Sequence, residues 1–167
     1  MRRVVLAALL LAGCSNELTP EEQAAQDERD IAMVEQANGA MAPLREVTPE
    51  PILFPDIERY DLSGTACNYA PGTSLGTRVV AREIDAYMKL DGEMLRFAAD
   101  PGARKLPDDT RSVYNGREYS LQLEIAGDGA PSESGGPQAL DYEGTVTLRD
   151  KHGRVVYEGS GLAQCTS

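Results

Sequence analysis

The sequence has no tryptophan, two phenylalanines and a single histidine, His152. A Ser-His-Asp triad needs its imidazole packed beside the nucleophile and oriented by a carboxylate. His152 stands between Lys151 and Gly153 in a predicted turn, a poor place for that role. Cysteine is scarce too: three residues and no Cys-x-x-Cys, which removes the usual zinc and dithiol frameworks. Asp108-Asp109 lacks the spaced carboxylates of a calcium loop and reads as an exposed loop after Pro107. Neither G-x-G-x-x-G nor G-x-x-x-x-G-K-[S/T] occurs and no nucleophile elbow is read, which speaks against nucleotide binding and the common hydrolase frameworks. Paired carboxylates for glycoside hydrolysis could be drawn from any of eighteen acids beyond residue 55, and the sequence nominates no two of them. No metal, cofactor or catalytic residue is expected, and the chain reads as a non-enzyme.

Long apolar runs are also missing, apart from Val4 to Ala12, which is too short for a spanning helix of about 20 residues. It follows Arg2-Arg3 and precedes Gly13-Cys14, the layout of a secretory signal. Leu11-Ala12-Gly13-Cys14 resembles the lipobox of bacterial lipoproteins, over the first fifteen residues only. That resemblance implies cleavage after Gly13 and lipidation of Cys14, with acyl chains such as palmitate holding the protein at a membrane at about 0.8 kcal/mol per buried methylene. Ser15 at the next position, by the same analogy, implies the periplasmic face of an outer membrane.

Without residues 1–13 the chain keeps 14 Lys and Arg against 27 Asp and Glu. A surface this acidic opposes nucleic acid, because no cluster of cations is available to neutralise phosphate. Nine of the acids lie between Cys14 and Glu50 against two arginines. That excess fits a solvated segment repelled from the membrane surface.

With Cys14 used by the lipid, Cys67 and Cys165 remain as an even pair in an oxidising compartment, and a disulfide is predicted. It would tie an early strand to the last residues of the domain.

Along the mature chain, Thr19-Pro20-Glu21-Glu22 is a helix start, with Thr as cap, Pro at the first position and Glu reaching back. The helix runs to Ala37, where Asn38-Gly39 stops it. Its apolar face is thin, chiefly Ile31 and Val34, as in a solvated stalk. Pro43, Pro49, Pro51 and Pro55 then predict an extended spacer without helix. Three parts result: a signal peptide over 1–13, a lipidated leader, helix and Pro-rich linker over 14–55, and a β-domain over 56–167.

In the domain the hydrophobic period becomes two. Ile84 to Leu90 alternates, meets Asp91-Gly92 and resumes through Glu93 to Ala98, a strong hairpin signal. Asn115-Gly116 marks a second hairpin, pairing 111–114 with 117–125. Tyr142 to Leu148 is a further strand, and Asp150-Lys151-His152-Gly153 turns the chain toward Val155 and Tyr157. With 62–69 this makes seven or eight short strands, 78–83 either extending the following strand or forming one of its own, and they are expected to form a small antiparallel β-barrel or sandwich closed by the one disulfide. The stretch from Gly127 to Gln138 is rich in Gly, Ser and Pro and is expected to be a mobile loop. Tyr87, Tyr114, Tyr119, Tyr142 and Tyr157 all fall on predicted strands, where half-buried packing is the ordinary role.

Cys14, Cys67, the Asp91-Gly92 hairpin, the stretch Ser112-Val113-Tyr114-Asn115-Gly116 and Cys165 together resemble the frame of the membrane-bound inhibitors of c-type lysozyme. The resemblance implies a small β-barrel with a disulfide from an early strand to the chain end. That family's Ser-Ala-Ser-Gly type loop and its Trp followed by Lys-Gly have no counterpart here, so no inhibitory residue carries over. The sequence therefore leads to a lipid-anchored, non-enzymatic binding or assembly module facing an envelope protein or cell-wall component. Inhibition of lysozyme or another cell-wall hydrolase is the alternative.

Overall fold

The computed structural model describes residues 19–39, 43–74, 76–132 and 138–166. The expected signal peptide and Cys14 lie outside them, as do residues 133–137 of the glycine-rich stretch. The chain forms two compact units, divided after Pro43.

The first unit holds α1 (Pro20–Gly39), capped as its sequence predicts. Glu22 N–H donates to Thr19 Oγ1 at 3.3 Å, while the Thr19 N–H and hydroxyl each donate to the Glu22 carboxylate at 2.9 Å. Every described side chain of α1 except Ala25 is exposed, Ile31, Met33 and Val34 included.

The second unit is a closed barrel of eight antiparallel strands, each bonded to the next in sequence and the last bonded back to the first. They are β1 (Ala66–Pro71), β2 (Val79–Ala81), β3 (Asp85–Leu90), β4 (Glu93–Ala99), β5 (Val113–Asn115), β6 (Tyr119–Pro131), β7 (Ala139–Asp150) and β8 (Val155–Thr166). The Asp91-Gly92 turn joins β3 to β4 with φ of 49° and 78°, the left-handed pair that a two-residue hairpin demands. Tyr69, Met88, Phe97, Tyr114, Leu121, Leu123, Val146 and Leu148 fill the interior. Cys67 and Cys165 are opposite one another where β8 meets β1, and the predicted disulfide joins them.

Closure leaves two mouths to stop. Residues 45–53 lie across one of them. Val47 packs on the interior cluster and donates to Val156 O at 3.0 Å, Glu50 N–H donates to Lys89 O at 2.8 Å, and Ile52 N–H donates to Thr77 O at 2.8 Å. The Glu50 carboxylate accepts from Gly92 N–H at 2.7 Å, and Arg45 pairs with Asp91 at 2.9 Å. The opposite end is covered by the loop between β4 and β5. There Leu106 and Thr110 are buried, Leu106 N–H donates to Thr110 O at 3.0 Å, and the Thr110 hydroxyl donates to Pro107 O at 2.8 Å.

The chain between the strap and β1 differs from the expected spacer. It forms α2 (Phe54–Tyr60), because Pro55 falls in the first turn, where its missing N–H is not needed. Ile52, Ile57, Tyr60 and Leu62 then pack on the outer side of Ala66, Val80 and Tyr87. The barrel unit accordingly begins at Leu44, ahead of the boundary read from proline density. This second layer is why β2 is buried at every residue and β3 at all but Lys89.

Two further expectations are corrected. Gly127 to Pro131 belongs to β6, not to a loop: the register jumps between Ala126/Glu143 and Ala130/Asp141, and the extra residues bulge with Gly127 and Gly129 at φ of 86° and 73°. The Tyr142 ring lies against Gly129, where a Cβ would meet it at 2.5 Å. The second hairpin is real, but Asn115 is a strand residue opposite Ser120. Its turn spans four residues, closed by Gly116 N–H donating to Tyr119 O at 2.8 Å. Gly116 serves there by close approach, since a Cβ would come within 2.9 Å of the Phe97 ring.

Candidate binding cleft

The packed interior leaves the barrel's concavities at its surface. One groove, of about 570 Å³, is lined by Arg104, Glu124, Glu143, Thr145 and Ser160 with glycine backbone between them. Its strands are fully laddered through this region, and the Thr145 and Ser160 hydroxyls bond to each other at 3.0 Å. A second cleft of about 410 Å³, between β4 and the β5–β6 turn, is different.

β4 pairs with β3 along its length, yet with β5 only at Ala98/Asn115 and Ala99/Tyr114. The two-residue turn makes Leu90/Glu93 a pair that exchanges both hydrogen bonds, and the alternation follows from there. Glu93, Leu95 and Phe97 bond toward β3, whereas Met94, Arg96 and Ala98 direct their N–H and C=O groups the other way. Asp100 N–H donating to Val113 O at 3.0 Å keeps the same phase. Ala98 meets Asn115. Met94 and Arg96 have no ladder partner on this side among the described residues.

The cleft floor beside that open edge is apolar: Leu90 and Phe97 are buried, Leu95 and Tyr119 half-buried. Glu93, Arg117 and Glu118 stand on the rim. Glu118 faces Lys151 at 3.8 Å, a loose surface pair.

The outer side of β3 and β4 is fixed by charge. Asp85 is 1% exposed and takes two arginines: Arg82 donates to both its oxygens at 2.8 and 3.1 Å, and Arg96 Nε to Oδ2 at 2.9 Å. The Tyr87 hydroxyl adds a bond at 3.2 Å. Burial alone would raise this carboxyl's pKa, but the hydrogen bonds and charges of Arg82 and Arg96 outweigh it and hold it below the usual range. Arg82 also donates to Asp61 O at 2.9 Å, pinning the end of α2, while Lys89 and Asp56 pair at 3.1 Å. The Leu53 N–H, then Lys89, hold Asp56 low.

Two tyrosines are set inside the barrel. Burial pushes the Tyr114 phenol up even though Arg111 N–H donates to it at 2.7 Å, and its own hydroxyl donates to Arg82 O at 2.8 Å. Tyr69 is a buried hydroxyl without a hydrogen bond. Burial first, then the Tyr157 phenol beside it, push its pKa up. Gly159 makes room for both, since a Cβ there would strike each of them.

The residues singled out from sequence fall as follows. His152 is exposed at the β7–β8 tip, its N–H donating to Asp150 at 2.9 Å. Asp108 and Asp109 lie in the short 3₁₀ turn Pro107–Asp109, both at positive φ. Asp108 shares a 4.8 Å neighbourhood with Cys67 and Cys165, but sulfurs bonded to each other are not thiolate ligands. Of the five strand tyrosines, Tyr87 and Tyr114 are buried and the rest are half-buried against the interior. Gly72-Thr73-Ser74-Leu75-Gly76 does carry the spacing of a nucleophile elbow, a match the sequence reading missed. An elbow requires a helix after the turn, and here the chain goes from β1 to β2, with Ser74 Oγ accepting from Gly76 N–H at 3.1 Å.

Compared with protein-family models, with curated proteins and with solved structures, the chain matches none.

Proposed function

We propose that this is a lipid-anchored envelope protein whose barrel is a non-enzymatic binding or assembly module, held off the membrane by α1 and the segment around it. The anchor rests on the Leu11-Ala12-Gly13-Cys14 motif. The binding role rests on one observation: a barrel with a filled interior keeps a cleft of apolar floor and charged rim beside the unladdered stretch of β4. A crosslinked pull-down from the native envelope, with the lipidated full-length protein as bait, tests it. One stoichiometric partner is expected; none, with the bait folded and oxidised, contradicts the reading.

A second reading is inhibition of lysozyme or another cell-wall hydrolase. It is favoured by the disulfide from the first strand to the last, the frame that the inhibitors share. Protection of cells in a lysis assay by the purified protein would support it.

A further inference from the structure

We infer that the cleft accepts an extended segment of another protein, which adds as a short strand to β4. The inference deepens the binding role proposed above and rests on it. The occupant is specified by the hydrogen bonds left open. Met94 and Arg96 each offer an N–H and a C=O along one line, at strand spacing, and only an extended backbone returns both kinds of bond. Alternate residues of that segment then fall over the half-buried Leu95 and Tyr119, so those residues are apolar.

Barrels ordinarily remove strand edges by closure, and this wall is open for the length of Glu93–Phe97 because the β5–β6 turn leaves the ladder at Gly116. The residue at that departure is a glycine packed on Phe97, where a side chain would press into the ring, and Leu95 and Tyr119 are the floor residues left partly exposed. Charge chooses among occupants. From Leu44 onward the chain carries 20 Asp and Glu against 13 Lys and Arg, so a second copy is repelled and a neutral or basic segment is favoured.

The test uses the oxidised full chain and an acetylated peptide of alternating lysine and valine, with backbone amides followed by NMR. Saturable binding is expected, with shifts and slowed exchange at the Met94 and Arg96 amides. N-methylation of the peptide at alternate positions should weaken binding about five- to tenfold, and at the intervening positions should not. Met94→Pro removes the open N–H without taking a bond from β3, and is expected to lose binding with the barrel intact. If that variant does not fold, the N-methyl series decides alone. Three results overturn the inference: no saturation up to about 1 mM, the weak end for a specific contact; indifference to N-methylation; or self-association through β4. An envelope partner captured on another face would sink this inference and leave the binding role standing.

Discussion

Cys67 and Cys165 face each other across the β1–β8 ladder, with Cα atoms 4.0 Å apart, so the disulfide ties the seam at which the barrel closes. The bond spans a sequence separation of 98 residues. For a loop of this size, the chain-entropy model gives a stabilisation of about 4 to 5 kcal/mol. Urea unfolding of the oxidised protein against the Cys67→Ala/Cys165→Ala variant should show a loss of that order. Equal midpoints would mean that the ladder alone holds the seam.

Acid should loosen the outer layer. Asp85 and Asp56 both have pKa values below their ordinary ones, so their contribution is complete above the unfolded carboxylate range and is lost as pH falls through the folded values. Stability measured in urea should therefore be flat from neutral pH down to about 5 and then fall. Asp85→Asn should flatten the acid limb and cost about 2 to 3 kcal/mol, below the full cost of breaking a buried pair because Arg96 is largely exposed. An unchanged acid limb in that variant would contradict the assignment.

The strap is part of the barrel unit. A chain starting at residue 44 should be markedly more stable than one starting at residue 56, which loses Val47 from the barrel mouth and Ile52 from the layer over Val80 and Tyr87. Ile52→Ala alone should cost about 2 to 4 kcal/mol. Equal thermal midpoints for the two chains would return residues 44–55 to the role of a spacer.

Gly161→Ala should be among the most damaging single-methyl changes. The added Cβ would collide with Ala70 O and with the backbone of Pro71 and Gly72, none of which can move without breaking the β1–β8 ladder. A loss of about 2 to 4 kcal/mol is expected in chemical denaturation. Gly153→Ala serves as the control: no atom lies within 4 Å of the added methyl, so only its positive φ of 79° is strained.

What could be read from sequence was local. The Thr19 cap, the Asp91-Gly92 turn and the alternation of β7 each depend on residues within a few positions, and each appears as predicted. Features that depend on remote partners stayed hidden. Asp85 alternates like a solvent-facing strand residue, and only α2 and two arginines make it buried. Proline density around Pro55 looked like a spacer because Val80 and Tyr87, the surfaces it covers, are distant in sequence. The open stretch of β4 has no sequence signal, because it comes from rungs that the neighbouring strand does not supply.

A photoactivatable residue at Arg117, on the cleft rim, would test the binding role of this barrel most directly. The same probe at Glu158, beside the strap on β8, is the comparison. In the lipidated full-length protein irradiated in its native envelope, the expected result is one protein adduct from position 117, absent in Met94→Pro. Adducts from position 158 alone, or from neither position in a folded and oxidised protein, would contradict it.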